Sequence, residues 1–128
     1  MTQQDPRLRV LDSISELTPD DAGCLAVSGS HGGLSAGRFA LTCRPRLTVF
    51  NDAGVGRDQA GIAALALLQA QGLAACTVSH NSACIGQAHS TLHDGVISHA
   101  NTAALALGAT PGRPCHDLIQ HLRRPICP

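Results

Sequence analysis

Apolar and polar positions along this chain alternate in blocks, and the block order repeats. Three times a short apolar run leads into a polar segment carrying Gly or Ser, and then into a longer stretch rich in Ala and Leu. The first repeat places a strand at 24–28, a loop at 29–33 and a helix at 34–41. The second places a strand at 47–50, a loop at 51–56 and a helix at 57–71, stopped by Gly72. The third places a strand at 73–79, a loop opening with His80, Asn81 and Ser82 and extending to about Gly95, and a helix at 96–107 that ends at Gly108. A further strand is predicted at 8–14. After it, Thr18 reads as an N-cap with Pro19 at N1 and Asp20 and Asp21 in the first turn. A short helix at 115–122 closes the pattern.

Short apolar runs alternating with longer helical ones predict βα units and a parallel sheet. The expectation is an α/β fold: one three-layer domain over 1–128, with 1–6 and 124–128 as tails. Its sheet is small and mostly parallel, of four or five strands, with helices on both faces as in Rossmann- and flavodoxin-like domains. The stretches at 60–68 and 102–107 are apolar on nearly every helical face, which predicts that a second copy covers them in a homo-oligomer.

Composition narrows the function. A chain of 128 residues holds one hydrophobic core. With 44% hydrophobic and 14% charged residues it is too apolar for a disordered segment. Its most apolar run, 62–68, is far short of the roughly 20 residues that span a bilayer, and the N-terminus has no apolar segment of a secretory signal. No membrane partner is expected. Nine basic residues, all Arg, balance nine acidic ones, and there is no Trp, no Tyr and only two Phe. Phosphate neutralisation and base stacking are both poorly supplied, so no nucleic-acid partner is expected. Six cysteines without a CxxC pair, several inside apolar runs, read as reduced thiols of a cytoplasmic protein rather than a zinc ribbon.

In an open parallel sheet, ligands bind beyond the carboxyl ends of the strands. That rim would gather Ser28, Ser30 and His31 from the first loop, Asn51 and Asp52 from the second, and His80, Asn81 and Ser82 from the third. The opposite rim offers little chemistry. Helix capping accounts for Ser, Asn and Asp at such places, but not for His at two of the three strand ends.

The run Ser28-Gly29-Ser30-His31-Gly32-Gly33 resembles the nucleophile elbow of the α/β-hydrolases, in which small residues flank a Ser on a sharp strand-to-helix turn. The resemblance spans six residues, has Ser28 where the family has Gly, and sits in a chain about half the size such a hydrolase needs, so the family is not carried over. A glycine-rich turn after a strand equally cradles a phosphate or carboxylate. In the second loop, Asp52 follows a buried strand, where desolvation is expected to raise its pKa towards that of a general base. Gly54 and Gly56 leave the backbone open to a ligand, and Arg57 offers a fork for an anion. With no GxGxxG, no nicotinamide cofactor is expected, nor any other. In the third loop, His80 is a candidate acid or base, oriented by Asp52 or Asp94, with Ser98, His99 and Asn101 further along. His31, Asp52, His80 and His99 lack metal-ligand spacing, and no metal is expected. Cys84 is expected to be buried and inert, and His89, His93, His116 and His121 to be ordinary surface residues.

The expected function is that of a small enzyme without redox cofactor. It would hydrolyse, isomerise or eliminate from a small polar or anionic metabolite. Ser30, His31, Asp52 and His80 form its catalytic set, and Ser28, Gly32, Gly33, Asn51, Gly54, Gly56, Arg57, Asn81 and Ser82 bind the substrate, the glycine amides taking its anionic part. The alternatives are a ligand-binding or regulatory module with the same pocket, and a structural subunit. An enzyme requires the four catalytic groups at one cavity. A binding module requires the glycine amides to point into it, and a structural subunit leaves the loops buried or dispersed.

Overall fold

The computed structural model describes residues 7–123, and the expected tails at 1–6 and 124–128 lie outside that range, as does Cys127. Five strands form one sheet in plain chain order: β1 (Leu8–Leu11), β2 (Leu25–His31), β3 (Leu47–Asn51), β4 (Ala74–Val78) and β5 (Ile97–Ala100). The first four run parallel and β5 is antiparallel to β4. The three-layer α/β architecture is therefore present, with strands laid down sequentially rather than in the reversed order that gives doubly wound sheets their switch point.

Sequential order has a geometric consequence. Right-handed crossovers that always step in the same direction put every connection on the same face. The 3-10 turns at Ile14–Glu16 and Pro19–Asp21, helix α1 (Leu34–Cys43) and helix α2 (Ala63–Gln69) all pack there, around Phe50, Ala26 and Ala75. The other face is covered by the segments after β4. Leu92 of α3 (Ala88–Asp94), Ala104 of α4 (Thr102–Ala106), and Leu118 and Ile119 of α5 (Cys115–Arg123) close over Leu25, Val27, Leu47, Val49 and Val78. β3 and β4 are buried along their whole length, as expected of strands covered on both faces.

Several boundaries differ from the pattern-based expectation. β1 stops at Leu11, because Ser13 caps the following 3-10 turn and Glu16 reaches back to the Ser13 N–H. β2 extends to His31, because the Gly32 N–H still donates to the Asn51 carbonyl. The helix predicted from Arg57 begins at Ala63, since Asp58 and Gln59 adopt left-handed backbone angles that no α-helix accepts. The stretch predicted as helix 96–107 is strand β5 and then α4, divided at Asn101. Asn101 caps α4 at Ala104 and donates to the carbonyls of Leu65 and Leu73. The preceding loop contains α3, which the pattern does not show. The apolar character of α2 is largely absorbed within the chain: Ala64, Leu65 and Leu68 are buried, and its exposed positions Ala66 and Ala70 are small. Leu105 of α4 is exposed. Among the described residues no helix is long and apolar enough to cross a membrane.

The loop between β3 and α2 folds back on its own start. Gly61 passes so close to the strand end that a Cβ there would lie 1.9 Å from the Asp52 carbonyl oxygen, well inside contact distance with backbone that cannot rotate away. The Val55 N–H donates to the Asp52 carbonyl and the Gly61 N–H to the Val55 carbonyl, both at 2.7 Å, holding the β-branched Val55 at φ 68. Gly61→Ala is expected to destabilise the protein by about 1–3 kcal/mol or more, as overpacking against backbone does. Urea denaturation measures this, and an unchanged midpoint would refute the predicted overpacking.

Candidate active site

Parallel strands in register bring their carboxyl ends to one level. His31 pairs with Asn51, and Asn51 with Val78, so the loops after β2, β3 and β4 leave the sheet side by side. The common rim therefore exists. Its candidate residues nonetheless fall into two groups that open on different clefts.

The first group is Ser30 and His31. They line a cleft of about 190 Å³ with Ser13, Ile14, Ser35 and Phe39, on the face carrying α1. Ser30 lies within β2, and its hydroxyl accepts the Ile14 N–H at 2.9 Å. It has no left-handed backbone and stands four residues before α1, so the elbow resemblance ends with the residue pattern. The His31 ring lies against Gly33. Ser28 is fully buried and donates to the Val49 carbonyl at 2.8 Å.

The second group is Asp52 and His80. Asp52 is nearly buried, and its Oδ1 accepts the Gly54 N–H at 2.8 Å and the His80 N–H at 3.0 Å. The same oxygen lies 3.4 Å from Nδ1 of His80, whose side chain is 50% exposed against 6% for Asp52. The imidazole covers Gly54. Burial pushes the Asp52 carboxyl up. The Gly54 amide, the nearby Ser98 hydroxyl, the His80 amide and the His80 ring together outweigh it and hold the group below the ordinary carboxylate range. The expected rise is thus reversed, because desolvation comes with donors attached. Asp52 is held as an anion, and the His80 backbone amide is one of the donors that hold it.

His80 opens on a cleft of about 450 Å³ lined by Ala53, Asn81, Ser82, Ala83, Cys84, Ile85, Ser90 and Asp94. Asn81 is exposed there. The Ser82 hydroxyl donates to the Ser79 carbonyl and accepts the Val96 N–H, so it shapes the loop. Cys84 is exposed, contrary to expectation: after the tight turn of Ser79 to Ser82 the chain buries Ala83 and leaves Cys84 at the surface. Ser90 and Asp94, one turn apart on α3, face the same cleft, and the Ser90 hydroxyl accepts the Cys84 N–H at 2.8 Å. A loop over this stretch would give them no shared face, so the sequence pattern carries no sign of the pair.

The amides expected to bind an anion are mostly occupied. Gly32 donates to the Asn51 carbonyl, Gly54 to Asp52 and Gly56 to the Gly54 carbonyl. Gly33 begins α1 without a side-chain cap. Asn51 is buried, donating to the Ala83 carbonyl at 3.1 Å and accepting the Ala53 N–H at 2.8 Å. It therefore ties the second loop to the third. Arg57 is exposed and lines neither cleft. His99 stands on edge strand β5 opposite Thr77. His89, His93 and His116 form a surface row with ring centres 6.1 Å apart. Among the described residues no three His, Cys, Asp or Glu side chains are grouped to hold a metal ion.

No family model matches the chain, and no curated protein or solved structure matches it.

The Asp52 carboxyl titrates lower in the folded chain than in the unfolded one, so the stability it confers is fully present above its unfolded value of about 4. That stability is lost as pH falls through the folded value. Wild type is therefore expected to lose stability between about pH 5 and pH 3 more steeply than Asp52→Asn, in urea titrations at each pH. Parallel pH profiles for the two proteins would refute the assignment of Asp52 as a stabilised anion.

Proposed function

We propose that this chain is an enzyme whose cleft beyond β3 and β4 carries out proton-transfer chemistry on a small neutral or cationic metabolite, by hydrolysis, isomerisation or elimination. The observation that carries this reading is the Asp52–His80 pair. A carboxylate held ionised by backbone amides faces one imidazole nitrogen, and the half-exposed ring lines a ligand-sized cleft. Structural histidines do not need such an arrangement. A general base does, because the anion fixes its tautomer and stabilises the imidazolium that forms when it takes a proton.

The charge of the lining sets the substrate class. Asp94 is the one formally charged side chain among the described lining residues, and no Arg stands with it. An anionic substrate would meet a carboxylate without a counter-charge, and the glycine amides suited to holding it are mostly engaged elsewhere. Neutral polar molecules and amines fit this lining better. His80 supplies the acid/base function, Asp52 orients it, and Asn81, Ser90 and Asp94 offer polar contacts. Ser30 and His31 belong to a separate cleft and are left out of the reaction.

Two measurements test the reading together. In thermal-shift screening of neutral, cationic and anionic metabolites, ligands are expected from the first two classes. A ligand at a hundred times its Kd raises stability by about 2.7 kcal/mol. For any compound that wild type turns over, His80→Gln is expected to lower kcat about 10²- to 10⁴-fold while the thermal shift persists. Ligands that bind wild type without turnover would instead make the cleft a binding module, and equal turnover by His80→Gln would remove the imidazole from the chemistry.

A further inference from the structure

We infer that a second cleft, formed by α3, α5 and the start of β1, binds a small carboxylate that carries an apolar body. The inference is independent of the acid/base reading above. Helix α3 contributes to both clefts: Ser90 and Asp94 line the one beside His80, and Leu92 and His93 line this one.

The cleft encloses about 600 Å³, within the range of small-molecule sites. Most of its polar lining comes from α5. His116, Gln120 and Arg123 recur there at spacings of four and three residues, with Ile119 between them, which puts all four on one helical face. His93 joins them from the last turn of α3, its ring centre 6.1 Å from that of His116. Leu92 and Ile119, both buried, and the half-buried Leu8 supply the apolar part of the lining.

The charge of this lining has one sign. Arg123 is permanently cationic, imidazoles gain charge as pH falls through the neutral range, and Gln120 offers an amide donor. No carboxylate stands among the described lining residues. Asp117, beside His116 on α5, is instead paired with Arg113 at 2.7 Å, whereas among the described residues none of the four polar lining side chains is in a hydrogen bond or ion pair. The helix dipole explains only part of this arrangement. Arg123 ends α5, where the dipole favours a cation, but His116 stands in the first turn, where it disfavours one.

One fixed cation suits one negative charge. A guanidinium fork matches the two oxygens of a carboxylate, and the amide and imidazole N–H groups beside it supply further donors. A phosphate dianion would meet the same single fixed cation and be left partly unmatched. The apolar lining adds a second requirement. A bare anion would leave Leu8, Leu92 and Ile119 wet, whereas a chain or ring attached to the carboxylate removes their surface from water. The cleft beside His80 has the reverse character, with Asp94 and no Arg, so the two clefts select ligands of different charge.

Magnetic-resonance titration of the full chain with hexanoate at neutral pH tests this, with the histidine ring signals assigned by single His→Gln variants. Hexanoate is expected to bind with a Kd of about 1 mM or tighter, within reach of a ligand of that size. It is expected to shift the ring signals of His93 and His116 and to leave that of His80 in place. Acetate lacks the apolar chain and hexanol the charge, and each is expected to bind at least about tenfold more weakly. Arg123→Gln is expected to weaken hexanoate about ten- to a hundredfold, the worth of a charge-assisted hydrogen bond, and to leave hexanol unaffected. Arg123→Lys keeps the charge without the fork and is expected to recover part of the loss. An unchanged urea transition in both variants excludes misfolding as the cause. The inference is overturned by shifts at His80 in place of His93 and His116, by acetate or hexanol binding as tightly as hexanoate, or by full hexanoate affinity in Arg123→Gln. Absence of any saturable shift overturns it equally.

Discussion

A buried carboxylate has to find donors, and in this chain Asp52 finds them in two loops at once. Its Oδ1 takes an amide from Gly54 in its own loop and one from His80 in the next, while its backbone N–H donates to Val78 at the end of β4. Left unpaired at that depth, the charge would cost several kcal/mol. Paired in this way, it fixes the relative positions of the two loops. The backbone of His80 is set by the same contact. Other features depend on it: the tight return of the loop to Gly61, the left-handed residues between them, and the tie from Asn51 to Ala83 that braces the third loop from beneath.

The order of the strands decides what else can join this centre. Four parallel strands laid down in sequence put α1 and α2 on one face and leave the other to the segments after β4. Side chains at the end of β2 that lean towards α1 enter the small cleft with Phe39, and those from the loop after β4 enter the larger one with α3. A shared rim is thus not a shared site. The sheet separates Ser30 and His31 from His80 although their strands end at the same level.

Local geometry also engages most of the glycine amides in these loops. A free amide at a loop is available to a ligand only if the fold has not used it. In the loop after β3 the amides of residues 53 to 56 all donate internally, to Asn51, Asp52 and Gly54. The loop is built to support Asp52, and the residues that face the larger cleft carry a carboxylate at Asp94. Glycine beside these strands serves close backbone packing: Gly29 and Gly61 allow backbones to touch.

Periodicity and punctuation alone determined the fold class, the parallel core strands β2 to β4, helices α1 and α5, and the rim on which Asp52 and His80 meet. Each of these depends on interactions within a few residues or on the alternation of apolar blocks, and both are written along the chain. Tertiary structure alone decided the rest. Whether 96–100 was strand or helix depended on pairing with β4, a partner distant in sequence. The start of α2 depended on how Gly61 met Asp52. The pKa of Asp52 depended on donors from residues 54, 80 and 98, whose approach no local pattern encodes, so desolvation could be anticipated and its compensation could not. Cys84 was exposed for the same reason. An apolar neighbourhood along the chain says nothing of a turn after which one residue is buried and the next exposed.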